Sequence, residues 1–154
     1  MRQNSVNFYL TLGGLAFLVW AFVYFQTLQH MVMVWSQSET YKHCFFIIPI
    51  TIYLLYEKRA LLKSLDYRPT WLLIAPLLFI QALFVLAQQL NVQLVAHFCA
   101  VTSLIIIIWT LVGNHVFKAV AFPIFYLYFA VPFGEEFVPH LQVITADISC
   151  QLLI

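Results

Sequence analysis

Residues Val95–Val112 carry the uninterrupted run Leu104-Ile105-Ile106-Ile107-Ile108-Trp109 and hold no charged side chain. Few environments suit a segment like this. Lipid offers no water to its peptide groups, so the backbone closes its hydrogen bonds internally, as a helix. About 20 apolar residues, rising about 1.5 Å each, cross the roughly 30 Å of hydrocarbon in a bilayer. Four other stretches approach that length: Phe8–Thr27, His43–Tyr56, Trp71–Leu90 and Val116–Phe133. The His43–Tyr56 stretch is the shortest. Only 8% of the 154 residues are charged and 64% are hydrophobic, against about a quarter charged in ordinary soluble domains. The chain therefore reads as an all-α, polytopic membrane helix bundle, with about five transmembrane helices and a C-terminal helix at the outer surface. It forms a single multi-span domain without a linker or an internal repeat.

Between the first two runs, Leu28–Lys42 mixes Met and Trp with Gln29, His30, Ser36, Gln37, Ser38 and Glu39, the pattern of an interfacial helix followed by a loop. The N-terminus has the charge and apolar run of a signal peptide. It lacks a small-residue cleavage site, so it is read as a span.

The excess of Lys and Arg on cytoplasmic loops orients the spans. With the N-terminus inside, Arg2, Lys58, Arg59, Lys63, Arg68 and Lys118 all fall on the cytoplasmic side and only Lys42 falls outside. Glu39, Glu135, Glu136 and Asp147 then lie outside. This partition is the main reason for accepting the short second span. The connector Glu57–Pro69 is read as a solvated loop that fixes topology and can touch lipid headgroups. A formal net charge of +1 without a basic block gives no reason to expect nucleic acid.

The stretch Phe122–Asp147 looks most purposeful. Pro123 lies within its apolar run, Pro132 and Gly134 end that run, Glu135 and Glu136 form a polar corner, and Pro139 suits the first turn of a new helix. In that helix Leu141, Ile144, Ile148 and Leu152 share one face, flanked by Gln142 with Ser149 and Asp147 with Gln151. It should pack on other helices at the outer surface or dip into the membrane. The chain stops at Ile154 without a capping signal, as a truncated sequence would.

Candidate chemistry is sparse. His140 and Cys150, ten residues apart on one helix, would stand about 15 Å apart along its axis, too far for a nucleophile and its base. His43 and Cys44 are neighbours, and neighbours on a helix diverge. For His43 a polar contact lining an outer-facing cavity is more plausible than a dyad, beside the plainer reading of an interfacial histidine with no special role, while His97 and His115 read as interface anchors. Gln81, Gln88 and Thr102 are neutral polar groups tolerable within spans. Glu135 and Glu136 could act as an acid/base pair or hold a cation, but a solvated corner is the simpler reading. Cys44, Cys99 and Cys150, an odd number in apolar surroundings, form neither a disulfide framework nor a metal motif. No cofactor or metal is expected, and the partner read directly from the residues is the lipid bilayer.

Two patches resemble the exosortase/archaeosortase family. The stronger holds Phe122-Pro123, Phe125, Leu127, Ala130-Val131-Pro132, Gly134-Glu135, Pro139, Leu141-Gln142 and Thr145-Ala146. The weaker holds Trp35, Ser36, Thr40, Tyr41 and His43, then Tyr53-Leu54-Leu55, Lys58-Arg59 and Leu61-Leu62. Where the family usually has glycine after that histidine, this chain has Cys44. The resemblance implies a cysteine peptidase or transpeptidase that processes proteins bearing a C-terminal PEP-type sorting signal. It would act at the outer face of the bacterial inner membrane, in connection with exopolysaccharide production. The Cys, Arg and His that carry this chemistry in the family are expected beyond Ile154, and Cys150, in Ser149-Cys150-Gln151, lacks the family's Cys-Ser-Gly context. The chain is thus expected to be an N-terminal scaffold half, inactive alone, that supplies a substrate groove or support from His43, Glu135, Glu136, His140 and Asp147. The rival is a non-enzymatic membrane protein, namely a transporter fragment, a polysaccharide-assembly subunit or a binding-only relic.

Overall fold

The computed structural model describes the backbone of residues 2–64, 68–134 and 138–152, and side-chain surroundings over 11–62, 68–134 and 141–151. Among these residues all regular structure is helical. The α-helices are α1 (Arg2–Val23), α2 (Phe25–Gln37), α3 (Cys44–Glu57), α4 (Arg59–Ser64), α5 (Ile74–Gln89), α6 (Gln93–Phe125) and α7 (Val138–Leu152). Short 3-10 turns at Glu39–Tyr41, Trp71–Leu73 and Tyr126–Ala130 supplement them.

α6 is two helices in one. Gly113, at φ 79° and ψ 170°, breaks the helical path in a region of backbone space that is essentially reserved for glycine. The chain then folds back on itself. Trp109 stacks on Phe117 with ring centroids 4.3 Å apart, Thr102 Oγ1 meets Tyr128 Oη at 2.9 Å, and Phe98 packs edge-on against Phe133. Such pairings define an antiparallel hairpin with arms 93–112 and 114–130. Its turn also admits a neighbour: a Cβ at Gly113 would lie 1.9 Å from the Arg68 carbonyl oxygen. Beside it the Thr70 N–H donates to the Thr110 carbonyl at 3.0 Å.

At the other end of the hairpin, α5 is tied to α6 by a Schellman turn. Asn91 takes the left-handed conformation (φ 53°), its N–H donates to Gln88 O, and the Val92 N–H reaches Ala87 O at 3.0 Å. Small side chains then let the helices close: Ala87, Ala96, Cys99 and Ala100 are buried together with Phe84. α1 runs along the same pair. Trp20 Nε1 donates to both Ala100 O and Ser103 Oγ at 3.0 Å, and the Tyr24 hydroxyl bonds to Gln81 Oε1 at 2.9 Å.

Beyond Tyr24 the path bends by 72° into α2, which crosses the end of the bundle obliquely from Thr27, beside Gln88, to Trp35, beside Ala130. The mixed segment 28–42 is thus a helix across the bundle end followed by a 3-10 turn, as its composition indicated. α3 then returns beside the second arm of the hairpin. Pro123, buried in that arm, has no N–H for the Ala119 carbonyl, and the Lys58 ammonium takes that acceptor.

Span count differs from the expectation of five. Trp71–Gln89 and Gln93–Ala130 are long and apolar enough to cross a membrane, and 11–37 qualifies only as a bent pair. The two arms of the hairpin coincide with the expected fourth and fifth runs. α3, with 14 residues, reaches only about 21 Å and falls short. The first run does not continue straight to Thr27, because burial of Tyr24 between Trp20 and Phe84 fixes the bend. In α7, Pro139 falls in the first turn as expected, and residues 141–151 are all exposed, so of its two expected placements it does not take the one packed on the bundle's helices.

Candidate functional site

One end of the bundle gathers residues that lie far apart in sequence. Val131 is extended (ψ 123°), as a residue before proline must be, so the chain leaves the hairpin at Pro132 and turns through Gly134 at φ 105°. This exit strip is pinned from the N-terminal side. Trp35 Nε1 donates to Ala130 O at 2.9 Å, Tyr41 Oη to Phe133 O at 2.6 Å, and Cys44 Sγ lies 3.6 Å from Phe129 O. Ala130, Val131 and Pro132 are buried beneath these contacts, while Phe133 stays exposed. Aromatic donors therefore satisfy carbonyls that the 3-10 turn and proline leave without helical partners.

His43 stands at the rim of this end, exposed, one residue before α3. Its Nδ1 lies 2.8 Å from the Thr40 carbonyl. A carbonyl only accepts, so Nδ1 carries the hydrogen of this contact and Nε2 is the ring nitrogen left facing outward from it. That nitrogen is 3.8 Å from Cys44 Sγ. Helical divergence does not separate the two, because His43 precedes the helix and Thr40 holds its ring back. The pair is still no nucleophilic dyad: Cys44 is only 1% exposed and directs its thiol at Phe129 O. What the arrangement offers is an exposed imidazole held beside the carbonyls of the exit strip.

Of the other residues singled out from sequence, Asp147 lies on the exposed α7, away from this contact set. The backbone of His140 lies in the first turn of α7 and its side chain lies outside the described residues, as do Glu135 and Glu136 entirely. His115 is exposed near the hairpin turn. His97 is no interface anchor: it is 2% exposed and its Nε2 meets His30 Nδ1 at 3.1 Å, tying α2 to α6. The sequence shows His30 only as one polar residue of a mixed helical stretch, and nothing in it marks the pairing with His97. Gln81, Gln88 and Thr102 each hold a side chain of another segment: Tyr24, Thr27 and Tyr128. No group of three or more His, Cys, Asp or Glu that could hold a metal occurs among the described residues.

Elsewhere the bundle turns large apolar side chains outward, including Phe22 at 85%, Phe46 at 67% and Phe122 at 69% exposed. Contiguous apolar surface on this scale is covered by lipid in a stable protein. The fold is thus that of a helical membrane protein with one end locked by a proline-terminated strip. A family model for the transmembrane exosortases matches residues 35–154, and the chain belongs to that family. No curated protein and no solved structure matches it. The match starts at Trp35, the first residue of the lock, and encloses both of its halves.

Proposed function

We propose that this chain is the scaffold portion of an exosortase-type cysteine peptidase or transpeptidase that processes proteins with a C-terminal PEP-type sorting signal, in connection with exopolysaccharide production. The observation that carries the reading is the lock of Trp35, Tyr41 and Cys44 onto the strip Phe129–Phe133. Both patches that resemble the family meet there, and the corner Glu135-Glu136 and α7 follow directly in the chain. In this reading His43, Glu135 and Glu136 form a wall that receives the substrate's extended segment, and His140 and Asp147 on α7 support that segment from outside the lock.

The nucleophile is not among Cys44, Cys99 and Cys150. The first two are buried, and the third is exposed on α7 without the Cys-Ser-Gly context. The wall faces the outer side of the bacterial inner membrane. The lock beside it stands at the bundle end opposite the one where Lys58, Arg68 and Lys118 collect, and those cations favour the cytoplasm. The five-span topology, with the N-terminus inside and α3 as a short span, belongs to this proposal.

The test places single cysteines at Arg59 and at Phe133 in a cysteine-free background and labels them from outside intact cells. Labelling at 133 alone is expected; equal labelling of both would overturn the topology. Cleavage of a PEP-type substrate in membranes by the complete protein, diminished by Tyr41→Phe, would support the enzyme reading. Unchanged cleavage in Tyr41→Phe and His43→Ala would remove the lock from the mechanism.

A further inference from the structure

We propose that the cationic end of the bundle is a docking surface for the headgroups of anionic phospholipids, held between the connector after α3 and the turn of the α6 hairpin. Among the described side chains this end carries Lys58, Arg59, Arg68 and Lys118 against Glu57. Folding fixes the connector there. The Arg68 backbone lies on Gly113, Thr70 bonds to Thr110, and Lys58 caps the Ala119 carbonyl.

The cations differ in what occupies them. Lys58 is spent on its carbonyl. Arg59 is laid 3.9 Å over the Tyr56 ring and donates to Tyr56 O. Arg68 and Lys118 are exposed. Among the described residues the ion pair is Lys42 with Glu39, at the opposite end.

Apolar surface borders these charges directly. Trp71 and Leu72, 60% and 84% exposed, follow Arg68 by three and four residues, and Phe122, 69% exposed, stands one helical turn beyond Lys118. An acidic protein or a soluble anion needs cations alone. A phospholipid needs a cation at the phosphate and an apolar wall beside it for the acyl chain, which is the arrangement here. The proposal is independent of the enzymatic reading, since its test measures lipid and not cleavage.

The experiment reconstitutes the full chain in nanodiscs of phosphatidylcholine mixed with phosphatidylglycerol, then counts retained lipids by native mass spectrometry. Preferential retention of phosphatidylglycerol is expected, with Arg68→Gln and Lys118→Gln each lowering it about fivefold and Lys42→Gln leaving it unchanged. Added salt should weaken it, because exposed charges are screened. Equal retention of the two lipids overturns the proposal, as does a preference that survives the Arg68→Gln/Lys118→Gln double variant. Displacement of phosphatidylglycerol by inorganic phosphate would reassign the surface to soluble anions and overturn the lipid proposal.

Discussion

Gly113→Ala should loosen the bundle more than any conservative change on its surface, and the cost follows from geometry. At φ 79° and ψ 170° a non-glycine residue pays about 1–3 kcal/mol in backbone strain. The added methyl would also overlap the Arg68 carbonyl, with 1.9 Å to its oxygen and 2.8 Å to its carbon. Those are backbone atoms and cannot swing aside as a side-chain tip would. The connector must retreat, and the Thr70–Thr110 hydrogen bond goes with it, worth about 0.5–1.5 kcal/mol net. Together the loss is about 1.5–4.5 kcal/mol, or roughly tenfold to a thousandfold in the folding equilibrium. Gly14→Ala supplies the control. Gly14 lies within α1, and nothing stands within 4 Å of a Cβ built on it. Alanine there should be neutral or stabilising, by up to about 1 kcal/mol. Both variants can be measured by titrating the full chain from mild detergent into sodium dodecyl sulfate while following tryptophan fluorescence. A Gly113→Ala midpoint at or above wild type, or equal shifts for the two variants, would refute the reasoning.

Three further outcomes follow from the same contacts. Trp35→Phe keeps an aromatic ring but leaves the Ala130 carbonyl without its donor, and should cost about 1–3 kcal/mol in the same titration. Lys58→Met should destabilise by orphaning the Ala119 carbonyl, and the loss should shrink in a Pro123→Ala background, where an N–H returns to that acceptor; additive losses would contradict this. Cys150→Ser should leave stability, and any cleavage by the complete protein, unchanged, because the side chain is exposed and outside the bundle core. Loss of cleavage at normal protein levels would overturn that assignment.

Much of this was legible in the residues, and the remainder was hidden for identifiable reasons. The arms of the hairpin announced themselves as apolar runs separated at Gly113-Asn114-His115, and Pro132 with Gly134 marked the exit from the second arm. The bend after α1 left no mark, since neither proline nor glycine stands near Tyr24. It exists because Trp20, Gln81 and Phe84 hold that tyrosine. Pairings of long separation are similarly silent: nothing local to His30 or His97 records that their rings face one another. Neighbour divergence misjudged His43 and Cys44 because it assumed that both were helical. The amphipathic pattern of α7 was read correctly as a helix, but a pattern does not say which surface covers it.

The lock joins residues 95 and 92 positions apart, Trp35 with Ala130 and Tyr41 with Phe133. Closing so long a loop costs entropy that only the finished contact returns, whereas the hairpin and its junction with α5 join near neighbours. Assembly therefore has a built-in order. α5 and α6 can pair as soon as they enter the membrane, but the N-terminal helices must wait, with Trp35 and Tyr41 unpartnered, until residues 129–133 have been made. During synthesis that wait exposes the chain to interruption, and a fragment ending before Phe129 would hold every apolar helix of the bundle's first half and still lack the strip that Trp35, Tyr41 and Cys44 hold.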